Sequence, residues 1–156
     1  MMDVNIGLDV AQREKIAEIL KVLLATTYSF YTKTQNYHWN LAGKEFYSTH
    51  LLLQKQYEEL AEAIDEMAER VRALGFFVSG GLGIFKEKSL VNDEMKVDLS
   101  IEGILKSQVI DHEKIIVYIR KALSGVESAH DGATADFLNK RLAVHEKMAW
   151  MMRSSL

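Results

Sequence analysis

The stretch FYSTHLLLQKQYEELAEAIDEMAERVRALG, residues 46–75, decides the fold. Apolar side chains recur in it with the spacing of one helix face, from Phe46 through Leu74, and no proline interrupts them. Gly75 then stands where a helix wants a C′ residue, because only glycine enters the left-handed conformation there without steric cost. The spacing predicts a single helix over 46–74, which is 29 residues or roughly 43 Å long. A rod of that length has to be covered by other long helices.

The flanking sequence supplies them. Upstream, Asp9 followed by Gln12 three residues later forms a capping-box pattern. Apolar periodicity then predicts a first helix over Val10–Trp39, closed by the turn residues Asn40-Leu41-Ala42-Gly43. Downstream, residues 76–99 carry Gly80, Gly81 and Gly83 in a mixed stretch with room for a short helix near Leu82–Lys88. Neighbouring helices of an up-down bundle need only a few linking residues, so this link is a long crossover. Ser100 caps a third helix expected to stop near Leu123, before Ser124-Gly125, and a loop over Val126–Ala133 leads to a fourth. The fold class is therefore all-α: a ferritin-like four-helix bundle with a long crossover between helices 2 and 3. Residues 1–9 are a short tail, and 10–156 form one domain.

Composition agrees. A chain of 156 residues would average about eight prolines and has none, with only 9 glycines, so a turn-rich β-fold is excluded. The absence of cysteine removes disulfide scaffolds, thiol catalysis, iron–sulfur clusters and cysteine zinc sites, and suits a reducing cytoplasm. The N-terminus MMDVNIGLDV lacks the basic region of a signal peptide, and no apolar run reaches the ~20 residues of a membrane span. The net charge of −3 gives no general attraction to nucleic acid and favours cations as partners.

The chemistry-bearing residues are histidines and carboxylates. His38 lies near the end of the first helix; His50, Asp65 and Glu69 share one stripe of the second. Asp65 is 15 residues from His50, or roughly 22 Å along a rigid axis, whereas ligands of one metal converge within a few Å. One chain cannot bring them together, but a two-fold axis crossing the helix near Tyr57 to Leu60 can. The second helix, packed antiparallel on its own copy, sets His38 and His50 of one subunit against Asp65 and Glu69 of the other, twice per dimer. Imidazole with carboxylate suits Fe(II), Mn(II) or Zn(II).

Each of these residues also has a plainer reading. Six acids (Glu58, Glu59, Glu62, Asp65, Glu66, Glu69) stand against three bases (Lys55, Arg70, Arg72) on this stretch, as on many solvated helix faces. Lys55–Glu59 and Glu66–Arg70 have i, i+4 spacing and need no metal. His38 reads equally as a hydrogen-bonded core residue, and Trp39 as a packed aromatic. His112 and His145 lack the Glu-x-x-His and His-Glu-x-x-His patterns and read as structural; His130 falls in a loop.

Taken jointly, His38-Trp39-Asn40, Gly43, Phe46, His50, Asp65 and Glu69-Arg70 resemble the signature of the Dps family, the mini-ferritins. The resemblance implies a hollow homo-dodecamer with iron bound at two-fold interfaces. There Fe(II) is oxidised, preferentially by hydrogen peroxide, and Fe(III) is stored as a mineral in the cavity, a ferroxidase-type activity that protects the cell. It assigns His38 and His50 as iron ligands from one subunit and Asp65 and Glu69 as ligands from its neighbour, with Zn or Mn as substitutes. It also places Trp39 where it can intercept radicals, and Asp131 and Asp136 where acids of the family line the pores that admit iron.

Two departures carry expectations. Family members commonly have Asp four residues after the second His, and this chain has Gln54, a weaker ligand for a hard cation, so one of two iron positions is expected to be weak. Members that bind DNA use basic tails. Here the first nine residues hold Asp3 and Asp9 and no base, and the C-terminus has only Arg153, so direct DNA binding is not expected. The alternatives are a nucleoid-associated structural protein that coats DNA and a bundle with a structural Zn or Mn site.

Overall fold

A computed structural model describes residues 4–92 and 98–156, as five helices without strands. They are α1 (Val10–Asn40), α2 (Phe46–Ala73), α3 (Leu82–Lys88), α4 (Ile101–Ser128) and α5 (Gly132–Arg153). α1 packs along α2 and α4 along α5. The two hairpins close on a core that includes Leu20, Phe30, Leu60, Met67, Ile115, Val126 and Leu138. The short α3 lies in the crossover and rests on α1. Residues 1–3 of the expected tail and 93–97 of the expected crossover lie outside the described residues.

The helix ends follow local chemistry. Asp9 and Gln12 form the capping box, with Gln12 N–H donating to Asp9 at 2.7 Å and Asp9 N–H to the Gln12 side chain at 3.1 Å. After α2, Gly75 (φ 96°) donates to the Arg72 carbonyl and Phe76 to that of Val71, closing a Schellman turn. A Cβ at 75 would sit 2.9 Å from Val4 and from the Arg13 guanidinium, which itself bonds the Leu74 carbonyl. The turn therefore holds the N-terminal residues against the base of α2.

The third long helix differs from expectation: it does not stop near Leu123 but runs through Ser124 and Gly125 to Ser128, and only residues 129–131 link it to α5. Val126 and Ala129 explain the extra turn, since both side chains are buried in the core and only a continued helix presents them inward. The stop is made by His130, whose φ of 61° completes a second Schellman turn: His130 N–H donates to Glu127 and Asp131 N–H to Val126. Gly125 costs helix propensity, and tertiary burial overrides it.

The bundle centre is polar in places. Lys33 and Asp111 pair at 2.5 Å with both side chains buried, and Arg141 clasps Glu59. Gln56 Nε2 donates to Gln108 Oε1 at 2.9 Å and to His112 Nε2 at 3.0 Å. With its Nε2 accepting, His112 carries its proton on Nδ1 and donates it to His145 Nδ1 at 2.9 Å. Burial, reinforced by the nearby Arg141 cation, pushes the His112 imidazole down to about 3, and burial drives His145 in the same direction. Both rings are neutral core residues that join α2, α4 and α5.

Candidate metal centre

His38 on the last turns of α1 and His50 on the first turns of α2 are brought together by the turn between those helices. Gly43 makes that turn possible: its φ of 142° is foreign to other residues, and a Cβ there would meet Ile101 at 3.2 Å. The two imidazoles stack 3.7 Å apart, centroid to centroid. Each ring is also tied to the other's backbone, His38 Nδ1 to the His50 carbonyl and His50 Nδ1 to the His38 carbonyl, both at 3.0 Å.

That reciprocity fixes the chemistry. A carbonyl can only accept, so each Nδ1 carries a proton, and Nε2 is the nitrogen of each ring left for a metal. An imidazole whose Nδ1–H is bonded to a carbonyl is the arrangement that orients histidine as a metal ligand. Phe46 stacks on His50 at 5.0 Å and Tyr57 meets His38 edge-on at 5.1 Å, so aromatic walls hold both rings in place. His38 is thus nearly buried and hydrogen-bonded, yet retains a free nitrogen of the kind a metal takes.

Asp65 and Glu69 sit elsewhere. α2 is unbroken between them and His50, so the rigid-rod separation of roughly 22 Å holds. Both carboxylates are exposed, and neither has an ion-pair or hydrogen-bond partner among the described residues. No group of three or more metal-capable side chains assembles among the described residues of one chain. The structure thus brings together one half of the expected ligand set and leaves the other half facing outward on the same helix.

The remaining candidates divide in the same way. Gln54 Nε2 donates to Glu58 at 2.9 Å, one turn along the exposed face. Asp136 is exposed near the start of α5. Asp131 is only 4% exposed and its oxygens are engaged: it caps α5 through Thr134 N–H at 3.1 Å, accepts the Thr134 hydroxyl at 2.5 Å, and meets Arg70 at 2.8 and 2.9 Å. Burial alone would raise its carboxyl; the Thr134 hydrogen bonds and the Arg70 guanidinium hold it below the usual range. Two i, i+4 pairs expected from spacing give way to pairs between helices, Glu59 with Arg141 and Glu66 with Lys140, while Arg70 goes to Asp131. Trp39 is 67% exposed rather than packed. Spacing alone missed Tyr57, although its position two turns beyond His50 on the same helix was a usable signal.

Fold and half-site together define a class, and comparison with known proteins agrees with it. The chain belongs to the ferritin family: its ferritin-like domain matches residues 17–156. Within that family it stands among the Dps proteins. It is 31% identical to the DNA protection during starvation protein of Porphyromonas gingivalis, over 94% of this chain and 91% of that protein. A low temperature-induced protein of Nostoc sp. is 38% identical over 99% of this chain and 87% of its own length. The crystal structure of the Dps protein from Vibrio cholerae O1, described as a member of a broad superfamily of ferritin-like diiron-carboxylate proteins, superposes with a TM-score of 0.91 at 27% identity. That superposition covers 99% of this chain and 97% of the other. No helix among the described residues is long and apolar enough to cross a membrane.

Proposed function

We propose that this protein is a cytoplasmic iron-oxidising and iron-storing mini-ferritin. Copies assemble into a hollow homo-dodecamer. At each two-fold interface His38 and His50 of one subunit and Asp65 and Glu69 of the next bind Fe(II), which hydrogen peroxide oxidises in preference to dioxygen, and the Fe(III) passes to the cavity as mineral. The observation that carries this reading is the reciprocal bonding of His38 and His50, which engages Nδ1 of two stacked rings and leaves both Nε2 atoms without a partner among the described residues. The two unpartnered acids lie at the spacing that an antiparallel copy of α2 needs to reach them. Zn(II) and Mn(II) fit the same donors and would compete with iron.

Two irons give up two electrons to one peroxide, so no hydroxyl radical is released. The test mixes the assembled protein with Fe(II) and peroxide: oxidation at about two irons per peroxide supports the reading. A particle of monomer mass, or oxidation no faster than in buffer, would refute it. A structural Zn or Mn bundle would bind metal without turnover.

Gln54 sets the balance between the two positions. With a neutral amide where the family commonly has Asp, anaerobic calorimetric titration is expected to show one tight and one loose Fe(II) per site, and Gln54→Asp to tighten the loose one. Two equally tight irons in the unaltered protein would contradict this.

Admission of iron through three-fold pores is assigned chiefly to Asp136, whose carboxylate is exposed; Asp131, at the N-cap of the same helix, is committed to Arg70 and Thr134. Direct DNA binding plays no part. The N-terminal segment carries no base through Asp9, and Val4 and Arg13 pack at the Gly75 turn. The assembled protein is expected to leave duplex DNA unshifted on a gel at physiological salt. Retardation there would favour a DNA-coating role instead.

A further inference from the structure

Six ring contacts form one unbroken file through the half-site. Phe46 stacks on His50 (5.0 Å), His50 on His38 (3.7 Å), and His38 meets Tyr57 (5.1 Å). Tyr57 meets Tyr31 (6.1 Å), Tyr31 meets Tyr28 (6.1 Å), and Tyr28 stacks on Phe85 (4.6 Å). With the exception of the closer histidine pair, all lie within the range of about 4.5–7 Å in which rings are in direct contact. Such packing alone needs no redox role. The order of ring types, however, is informative: three phenols stand in series behind a metal-binding imidazole, and the file ends at α3 on a phenylalanine, which is not readily oxidised.

We propose that Tyr57, Tyr31 and Tyr28 are a relay that supplies the second electron when peroxide meets a site holding a single iron. The inference rests on the ferroxidase reading above. Gln54 gives it its occasion, because a weak second position leaves many sites with one Fe(II), and one-electron reduction of peroxide releases hydroxyl radical. With Tyr57 as co-reductant, Fe(II), one phenol and one peroxide yield Fe(III), one phenoxyl radical, one water and one hydroxide. The phenol loses an electron and its proton, and the peroxide O–O bond is cleaved by two electrons in all.

The hole then moves outward as each neighbouring phenol reduces the radical before it, electron and proton together, from Tyr57 to Tyr31 to Tyr28. All three side chains are half-buried, so their protons exchange with water. Tyr28 borders a surface groove with Ser29, Thr32, Leu82 and Phe85. There a second Fe(II) reduces the phenoxyl with uptake of one proton, which restores two irons per peroxide. Trp39 is next in sequence to His38 but is largely exposed and makes no ring contact among the described residues, whereas Tyr57 touches the ligand ring itself.

The experiment loads the assembled protein anaerobically with one Fe(II) per site, adds peroxide, freeze-quenches, and records electron paramagnetic resonance with natural and ring-deuterated tyrosine. A transient radical that narrows on tyrosine deuteration is expected in the unaltered protein. Tyr57→Phe should remove it and raise hydroxyl-radical spin adducts, Tyr31→Phe should confine it to Tyr57, and Gln54→Asp, filled with two irons, should diminish it. Tyr47→Phe, an exposed phenol outside the file, should change nothing. Absence of a tyrosine signal while Fe(II) is still oxidised would overturn the relay and leave the ferroxidase reading standing, as would a signal that survives Tyr57→Phe or shifts to tryptophan. Failure of Fe(II) to bind in the parallel titration would overturn both.

Discussion

Between pH 6.5 and about 3, His112 alone is expected to withdraw about 5 kcal/mol of folding stability. The unfolded chain takes up a proton on this imidazole as the pH falls through 6.5, while the folded chain resists until about 3. Stability is therefore intact above 6.5 and declines by about 1.4 kcal/mol per pH unit below it. His145, pushed down by the same burial, adds to the slope. The geometry supplies the reason: His112 Nε2 already accepts from Gln56 and His145 Nδ1 from His112, so a proton on either acceptor sets donor against donor. Chemical denaturation at a series of pH values measures this directly. His112→Leu/His145→Leu, which removes both partners at once, should flatten the acid limb while preserving the neutral-pH fold. An acid limb as steep in that double variant as in the parent would clear the pair of responsibility.

The other large effect concerns the ligands. His50→Ala removes one nitrogen, the ring that stacks on His38 and the bond to the His38 carbonyl, so Fe(II) affinity should fall by about a hundredfold or more, since loss of even an outer partner of a metal ligand costs ten- to a hundredfold. The sharper version uses two inactive assemblies. In one, His38 and His50 are both Ala; in the other, Asp65→Asn is combined with Glu69→Gln. Dissociated, mixed and reassembled, they should regain iron oxidation, because an interface between the two kinds of subunit holds one complete ligand set. If each complete set instead lay within one chain, mixing would restore nothing, and the shared-site reading would fall.

Much of this molecule was legible in its residues. The 46–75 stretch specified α2 to within a residue, Gly75 marked the turn that closes it, and Asp9 and Gln12 marked the start of α1, because caps and apolar spacing are local properties. The end of α4 was not legible: Ser124-Gly125 is a local stop signal, and it lost to the burial of Val126, which depends on residues far away in sequence. Charge pairing failed for the same reason. Spacing offered Glu59 to Lys55, but the bundle offered it to Arg141, and one-dimensional distance cannot register a partner on another helix. The histidines were found by spacing, whereas the direction in which their nitrogens point is set by backbone carbonyls across a turn and only emerges in three dimensions.

The grip of Arg70 on Asp131 has a mechanical side. Arg70 follows Glu69 directly in the chain, and its guanidinium is bolted to the capping residue of α5. The stretch of α2 that carries the two outward acids is thereby braced from behind, and a neighbouring molecule pressing on them meets an anvil instead of a spring. In the proposed assembly, docking tolerances at that contact would be set by how two stiff bodies register, with little slack to be taken up by the chain itself.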